Sequence, residues 1–452
     1  MSNVKLTSLG GIARIGEMVS RLALFPLTAE VNSQGHLVIG GGDCVALADE
    51  FGTPLYLFDE FTLRRKCAEL KKEFGQRYAD TTVIYAGKAF ISRALAMLLM
   101  EEGMGLDVVS AGELGIARSV GFPLDRVYLH GNNKSAEELS LALEFNIGRV
   151  VVDNFAELTR LGKMAEAQCC TPDILLRLTP GVEPHTHKYI VTGAIDSKFG
   201  FAPAQWSEAV SQAMAAPNLN LVGLHFHIGS LIYETEPYQK SIELLLDFAA
   251  EAKTKHGFEL KELNTGGGFA IQYTLDLPAP PIATYAEAIA TKIKDKCRQL
   301  KLVLPKLVVE PGRSVVGQAG VALYRVGVVK DVPGVRRYVS VDGGIGDNIR
   351  PALYQARYEA VVANKMSAKE ADKVTIAGRF CESGDILIKD IALPAVSSGD
   401  LIAIPASGAY SLPMASNYNA VPRPAVAMIR EGKARLIRQR ETFEDLIRDD
   451  LL

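Results

Sequence analysis

The chain lacks the features that mark several broad classes of protein. It has no dense run of lysine and arginine, and its 452 residues carry a formal charge of only −3, so neither nucleic acid nor a membrane surface is an expected partner. Its six cysteines form no C-x-x-C pair. A chain of this length needs no disulfide framework, which predicts reduced thiols.

The N-terminal region also lacks a long hydrophobic run. Its longest apolar stretch, Leu22 to Leu27, is interrupted by Pro26 and follows the charged residues Arg14, Glu17 and Arg21. This stretch fits neither a secretory signal nor a membrane span. We therefore expect a cytoplasmic protein.

Length and patterning predict two domains, because 452 residues are too many for one compact core. Between residues 51 and 314, short apolar or β-branched runs alternate with amphipathic helical stretches, as in parallel β/α units. Eight such units predict a closed α/β barrel of the TIM type. The eight runs are 82–86, 106–109, 126–130, 149–153, 173–178, 220–227, 260–264 and 306–310.

The remainder of the chain has a different pattern. Residues 315–452 show strand-like alternation, which predicts a C-terminal β-rich domain, either a sandwich or a barrel. Residues 30–50 are expected to join this domain, because Gly35 to Gly40 resembles a strand between glycines. Residues 1–29 give no clear signal, and we interpret them as an N-terminal extension.

Five short motifs carry groups that together suit one cofactor site. They supply a lysine, an imidazole beside a hydroxyl, a glycine run, a carboxylate beside an arginine, and a cysteine beside acids. Pyridoxal phosphate requires an amine, a phosphate cradle and an acid group that keeps its ring nitrogen protonated. The motifs are Tyr85-Ala86-Gly87-Lys88-Ala89, His227-Ile228-Gly229-Ser230, Gly266-Gly267-Gly268, Glu310-Pro311-Gly312-Arg313 and Cys381-Glu382-Ser383-Gly384-Asp385.

The positions of these motifs agree with the predicted barrel. Polar or glycine residues collect where the proposed strands end, and in a barrel those ends converge on one face, where active sites form. Phosphate is often held by the loops after the seventh and eighth strands. Gly266 to Gly268 and Gly312 occupy those two loops.

Each motif has a simpler interpretation when it is taken alone. A lysine after a strand is usually a solvated loop residue, and three glycines can form a mere tight turn. Glu310 and Arg313 could form a structural ion pair at the barrel rim. Cys381 would ordinarily be a small buried hydrophobe, although its acidic neighbours favour a protonated thiol acting as an acid over a thiolate nucleophile.

Two histidine pairs raise the question of a metal. His225 and His227 lie two residues apart on a predicted strand and so would face the same way. His185 and His187 form a second pair, but no third ligand with suitable spacing is evident. We therefore expect packing or hydrogen bonding from these histidines, and no metal site.

From about residue 35 to the end, the sequence resembles the fold-type III pyridoxal-phosphate decarboxylases. The probability that all of the matching stretches agree by chance is very small. The stretches that carry the resemblance are His185 to Gly193, Asp196 to Gly200, Asp342-Gly343-Gly344, Arg350 to Tyr354, Gly408-Ala409-Tyr410 and Asn417-Tyr418-Asn419.

The resemblance implies a role for each cofactor-binding residue. Lys88 would carry the Schiff base, His227 would stack on the cofactor ring, and Glu310 would meet the pyridinium nitrogen. The residues expected to hold the phosphate are Ser230, Gly266, Gly267, Gly268, Gly312 and Tyr410.

The resemblance also implies the substrate contacts and the proton donor. Glu382 would bind a remote amine, and Cys381 would protonate the carbanion left after carbon dioxide departs. Arg313 and Tyr410 are expected to contact both cofactor and substrate. The residues expected to hold a remote carboxylate are Arg313, Arg350 and Tyr354.

The resemblance implies that the protein would decarboxylate meso-diaminopimelate to L-lysine, the last step of lysine biosynthesis, as a homodimer with shared active sites. A related decarboxylase of ornithine, lysine or carboxynorspermidine is one alternative, and a non-catalytic homologue is another. Ornithine decarboxylases typically have an acidic residue after the Leu-Tyr pair. Here Gln355 follows Leu353-Tyr354, which favours a carboxylate at the far end of the substrate.

Overall fold

A computed structural model describes residues 22–183, 193 and 196–452 of the chain. The histidine pair His185 and His187, and most of the first stretch that carries the resemblance, lie outside the described residues. Among the helices that the structure describes, none is both long and apolar enough to cross a membrane.

The described residues form twenty strands and twelve α-helices, which alternate through most of the barrel, whereas strands follow one another directly in much of the rest. The strands are β1 (Glu30–Val31), β2 (Leu37–Ile39), β3 (Gly42–Asp43), β4 (Leu55–Asp59), β5 (Thr81–Ala86), β6 (Gly105–Val108), β7 (Val127–Leu129), β8 (Arg149–Val152), β9 (Asp173–Arg177), β10 (Asn220–His225), β11 (Glu262–Asn264), β12 (Lys306–Val309), β13 (Gly320–Val332), β14 (Arg336–Val341), β15 (Val361–Val362), β16 (Asp372–Ala377), β17 (Ile386–Leu393), β18 (Leu401–Ile404), β19 (Ala425–Arg430) and β20 (Lys433–Arg438). The helices are α1 (Cys44–Phe51), α2 (Glu60–Arg77), α3 (Arg93–Glu101), α4 (Ala111–Ser119), α5 (Ala136–Glu144), α6 (Phe155–Ala167), α7 (Trp206–Ala215), α8 (Glu236–His256), α9 (Ile282–Leu300), α10 (Arg313–Val316), α11 (Arg350–Tyr354) and α12 (Phe443–Ile447).

The predicted eight-stranded barrel is confirmed. Strands β5 to β12 hydrogen-bond in a closed ring, and the parallel pairing of β12 with β5 completes the circle. A buried apolar cluster joins side chains from six of these strands, so the interior is packed and chemistry must occur at the strand ends. The cluster contains Ile84, Tyr128, Val151, Leu175, Val222 and Val308.

Local sequence signals explain where helices begin. The hydroxyl of Ser135 accepts a hydrogen bond from the N–H of Glu138 at 3.0 Å, and the Glu138 carboxylate accepts one from the N–H of Ser135 at 2.9 Å. This reciprocal pair is the capping box that the Ser-x-x-Glu spacing predicts at the start of α5.

The described chain divides into two compact units. The barrel unit comprises Lys66–Ala270 and Ala279–Val315. The β unit comprises the residues up to Arg65, Ile271–Pro278 and Val316–Leu452. All eight barrel strands lie in the barrel unit.

The β unit is built on one mixed sheet of nine strands in which β13 is central, since it pairs with β4, β14 and β18. A smaller sheet of β1, β2 and β3 packs into the same apolar core, to which Leu37 and Ile39 contribute fully buried side chains. The predicted β-rich domain is therefore present, and residues 30–50 lie in the β unit as expected.

Two segments lie in a different unit from the one that the sequence pattern assigns. The sequence pattern predicts a barrel over residues 51–314, but residues 51–65 and Ile271–Pro278 belong to the β unit. Strand β4 is buried along its whole length between β13 and β19. A continuous apolar run of this kind fits any central strand, so its pattern does not reveal which sheet receives it.

Candidate active site

The turn after the first barrel strand carries Lys88. Residues Gly87–Ala89 form one 3₁₀ turn directly after β5, and a Cβ on Gly87 would lie only 2.9 Å from the carbonyl oxygen of Asp107. Lys88 is half-buried. Its charge acts on three neighbouring groups: it partly opposes the rise in the pKa of Asp107 and Glu113 that burial causes, and it adds to the fall in the pKa of His227.

Those three neighbours are strongly affected by burial. Removal from water raises the pKa of Glu113 to about 7 and raises that of Asp107. The same effect, together with the charges of Lys88 and Arg177, lowers the pKa of His227 well below its usual value. His227 is therefore a neutral imidazole at physiological pH.

The loop after the seventh strand is a glycine run whose packing leaves no space for side chains. A Cβ at Gly267 would lie 1.9 Å from the carbonyl oxygen of Glu310, and one at Gly268 would lie 2.3 Å from that of Gly229. The N–H of Gly267 donates to Nδ1 of His227 at 3.3 Å. The backbone here can approach an anion closely, as in other nest-like loops.

The loops after the sixth and eighth strands are joined by a hydrogen bond. Nη2 of the buried Arg313 donates to Oγ of Ser230 at 3.0 Å. A Cβ on Gly312 would lie 3.0 Å from Cβ of Ala89 and 3.1 Å from that of Ala86. This close approach packs the eighth loop against the turn that carries Lys88.

Glu310 is a buried carboxylate surrounded by polar groups from three other strands. Oε1 lies 2.9 Å from Nε2 of His130 and accepts from Nδ2 of Asn264 at 2.7 Å. Oε2 lies 3.2 Å from Nε2 of His225. Burial alone would raise the pKa of Glu310, but the two imidazoles hold it well below its usual range, so the carboxylate is ionised at physiological pH.

Within the described residues, the side chains of His130, His225 and Glu310 are the ones that could together hold a metal ion. Their ligand atoms on His130, His225 and Glu310 lie within 4.8 Å of one another. His225 and His227 therefore do not act as a pair: His225 faces Glu310, whereas His227 accepts from the glycine loop. Strand β10 ends at His225, and His227 lies two residues beyond its end.

Sequence reasoning did not single out Asn264 as a site residue. It is the last residue of β11 and is fully buried, and it also accepts from the N–H of Gly266 through Oδ1 at 3.0 Å. Asn264 thus links the carboxylate of Glu310 to the glycine loop. A polar residue at the C-terminal end of a barrel strand was the signal that could have identified it.

The remaining predicted residues belong to the β unit. Arg350 and Tyr354 lie at the two ends of the short helix α11, and the Tyr354 hydroxyl lies 3.9 Å from Sδ of Met414. Tyr410 has a φ of +60°, which is uncommon for a residue other than glycine.

Cys381 and Glu382 are both exposed on the loop after β16, so Cys381 is not the buried hydrophobe that an isolated cysteine suggests. The N–H of Cys381 donates to Oδ1 of Asn419 at 2.9 Å. Asp385 is buried below the loop and accepts from the N–H groups of Phe380 at 2.8 Å and Ile345 at 2.7 Å. This carboxylate anchors the loop and leaves the thiol in solvent.

Comparison with known proteins identifies the family. Residues 61–317 match the family model described as the pyridoxal binding domain of pyridoxal-dependent decarboxylases. The diaminopimelate decarboxylase of Bacillus subtilis is 47% identical over 94% of this chain and 97% of its own length. The chain belongs to the diaminopimelate decarboxylase family. The Synechocystis member is 45% identical over 95% of this chain and 93% of its own length.

Solved structures agree with this assignment. Diaminopimelate decarboxylase from M. jannaschii, solved also in complex with L-lysine, has a TM-score of 0.88 and 35% identity, covering 94% of this chain and 98% of its own. The Helicobacter pylori enzyme in complex with L-lysine has a TM-score of 0.82 and 32% identity, covering 89% of this chain and 98% of its own.

The barrel unit fits the cofactor of this family, pyridoxal phosphate. Lys88 offers an amine at the end of the first strand, and the Gly266–Gly268 loop offers a backbone that an anion can approach closely, because no side chain fits there. Glu310 offers an ionised, buried carboxylate, which suits a protonated ring nitrogen. This donor set covers the three requirements of the cofactor.

Gly267→Ala should weaken pyridoxal phosphate binding by roughly 10- to 100-fold, because overpacking against the Glu310 carbonyl costs about 1–3 kcal/mol. The measurement is the cofactor dissociation constant from an absorbance titration. Gly115→Ala is the matched control, since a Cβ at Gly115 meets no atom within 4 Å. An unchanged dissociation constant for a folded Gly267→Ala protein would show that the loop does not cradle the phosphate.

Proposed function

We propose that this protein decarboxylates meso-diaminopimelate to L-lysine and carbon dioxide with pyridoxal phosphate, as a cytoplasmic homodimer with shared active sites. The reaction is supported by sequence identity of 47% and 45% to two diaminopimelate decarboxylases over nearly the full length of the chain. The observation that carries the substrate assignment is the buried guanidinium of Arg350.

Arg350 is a buried cation with no carboxylate partner among the residues that the structure describes. It is only 2% exposed, and its Cζ lies 4.7 Å from the ring centroid of Tyr273 and 5.4 Å from that of Tyr358. Nη1 donates to the Tyr358 hydroxyl. Among the described residues it forms no ion pair with an aspartate or glutamate.

A buried guanidinium is costly unless an anion accompanies it, and its planar donors match a carboxylate in a bidentate manner. The two tyrosines fix the guanidinium in place without neutralising it. Arg350 would therefore receive the substrate carboxylate that remains after the reaction, with Arg313 and Tyr354 as further contacts. This favours a substrate with an acid at each end over ornithine or lysine.

Pyridoxal phosphate, when bound, would supply an aldehyde that can react with an amine and a protonated ring that can withdraw electrons from the reacting carbon. Lys88 would supply the amine, and His227 would lie against the ring. The ionised Glu310 would keep the ring nitrogen protonated, because His130 and His225 stabilise the negative charge. The phosphate would be held by Ser230, Gly266, Gly267, Gly268, Gly312 and Tyr410.

Loss of carbon dioxide requires a later proton at the same carbon. Cys381 would deliver this proton from its exposed thiol, and Glu382 would bind the amine at the far end of the substrate. Asp385 would act as a positioning residue, since its carboxylate holds the loop through the N–H groups of Phe380 and Ile345.

Lys88→Ala should abolish carbon dioxide release from meso-diaminopimelate, together with the visible absorbance that borohydride removes from the loaded enzyme. The reason is that no other amine is expected to reach the cofactor aldehyde. Lys163→Ala, which removes an exposed lysine from α6, should leave both unchanged. Retention of activity and of the reducible absorbance by Lys88→Ala would assign the role to another lysine.

Arg350→Met should lower kcat/KM for meso-diaminopimelate by about 10²–10³-fold, because truncating a buried charge pair costs roughly 2–5 kcal/mol. It should barely change the rate with D-lysine, which lacks the second carboxylate. The wild type should prefer meso-diaminopimelate by roughly 10⁴-fold, since unpaired polar groups reject the analogue.

Arg357→Met is the matched control for that experiment. Arg357 follows the same helix but is exposed, and its ion pair with Asp276 lies at the surface, where such pairs contribute little. Its kinetic constants should match those of the wild type. Comparable kcat/KM for D-lysine and meso-diaminopimelate in the wild type would refute the substrate assignment.

Mixed dimers test whether two subunits build each active site. Lys88→Ala and Cys381→Ala homodimers should each be nearly inactive. In a mixed dimer with two-fold symmetry both lesions fall in one site and the other stays intact. Random exchange of equal amounts makes about half of the dimers mixed, so about a quarter of wild-type activity should return.

Native mass spectrometry must establish that exchange has occurred. If mixed dimers form and activity stays absent, Cys381 serves the barrel of its own chain. Lys163→Ala mixed with Cys381→Ala provides the reference, because one parent then keeps every proposed catalytic group.

A further inference from the structure

The opposite end of the barrel contains a cavity that the proposed catalysis does not use. It has a volume of about 450 Å³, within the range of small-molecule sites. Its walls include Thr81 and Thr82 at the start of β5, Gly105 at the start of β6 and Lys306 at the start of β12. The cavity therefore lies at the N-terminal ends of the strands, whereas Lys88 and Glu310 lie at the C-terminal ends.

The charged residues that line this cavity are mostly basic although the protein as a whole is acidic. Four basic side chains face it against one acidic side chain, Asp125; the basic residues are Lys71, Arg126, Arg149 and Lys306. The whole chain has a formal charge of −3. Like charges around one cavity repel each other, and clustered charge of one sign attracts small counter-ions.

Two of the four cations are engaged elsewhere. Lys71 donates to the carbonyl oxygen of Glu102, beyond the last turn of α3. Arg149 donates to Oε2 of the buried Glu262 at 3.1 and 3.2 Å and to Asp173 at 2.9 Å. These contacts neutralise a helix end and a buried carboxylate.

Arg126 and Lys306 are less engaged: the charge of Lys306 contributes to lowering the pKa of Glu262, which burial raises, but it forms no direct contact with that carboxylate. Within the part of the chain that the structure describes, neither side chain has a hydrogen-bond or ion-pair partner. Lys306 is half-buried and Arg126 is exposed, and both line the same cavity. Arg149 and the Tyr128 hydroxyl, both bound to Glu262, form a polar wall beside them.

We propose that this cavity binds a small multivalent oxyanion, either a phosphate or a di- or tricarboxylate, through Arg126 and Lys306. The two side chains supply the donors that such anions require. The site is separate from the cofactor site, so the proposal does not rest on the proposed reaction.

The test uses isothermal titration calorimetry on enzyme saturated with pyridoxal phosphate, so that the catalytic phosphate cradle is already filled. Inorganic phosphate and citrate are the probes, in chloride buffers of matched ionic strength. At least one should bind saturably with a dissociation constant of about 1 mM or tighter. Arg126→Ala and Lys306→Ala should each weaken binding about tenfold, the contribution expected of one charged hydrogen bond.

Lys261→Ala is the matched control. Lys261 is exposed at the same end of the barrel, and its carbonyl oxygen accepts from the N–H of Lys306 at 2.8 Å, but its side chain does not line the cavity. This variant should bind as the wild type does. Without added anion, all three variants should keep the wild-type kcat and KM.

The outcomes separate the possibilities. Binding of phosphate alone identifies a phosphate site, and binding of citrate alone identifies a carboxylate site. If Lys261→Ala and Lys306→Ala weaken anion binding equally, the anion responds only to the overall positive potential of this surface. That result overturns the proposal. The absence of saturable binding by either probe overturns it as well.

Discussion

The burial of Glu310 is the constraint on which the catalytic end of the barrel depends. An uncompensated carboxylate in this position would be too costly to keep ionised. His130, His225 and Asn264 come from the ends of three other strands, and each approaches one of its oxygens within 3.2 Å. Only a closed ring brings these four strand ends together. The barrel thus supplies the ionised acid that a pyridinium nitrogen requires.

The glycine loop follows from the same arrangement. Asn264 joins Glu310 to Gly266, and the backbone of Gly267 lies against the Glu310 carbonyl so closely that no side chain fits. The ring-binding acid and the phosphate cradle are therefore built on one hydrogen-bonded framework. In the β unit, Asp385 has a comparable role: its buried carboxylate orders a loop whose other residues, Cys381 and Glu382, stay exposed.

Much of this could be predicted from the sequence, because it depends on local patterns. All eight barrel strands appear close to where alternation of apolar runs and helices places them, and the Ser135 capping box is present. Strand β4 could not be assigned, because its apolar run suits either sheet and only its partners β13 and β19 decide. The same limit applies to Tyr273, whose ring meets Arg350 from a segment far away in the chain.

The sequence by itself determined the barrel, the β-rich domain and the chemical inventory of the site, since strand periodicity and residue type are written locally. The tertiary structure alone decided which histidine contacts Glu310. His225 and His227 are alternate residues in the sequence, but His225 lies 3.2 Å from Glu310 whereas His227 accepts from the N–H of Gly267. Long-range packing also left Arg350 buried between two tyrosines and gathered Arg126 and Lys306 at one cavity. Such convergence depends on distances between strands, which no local pattern contains.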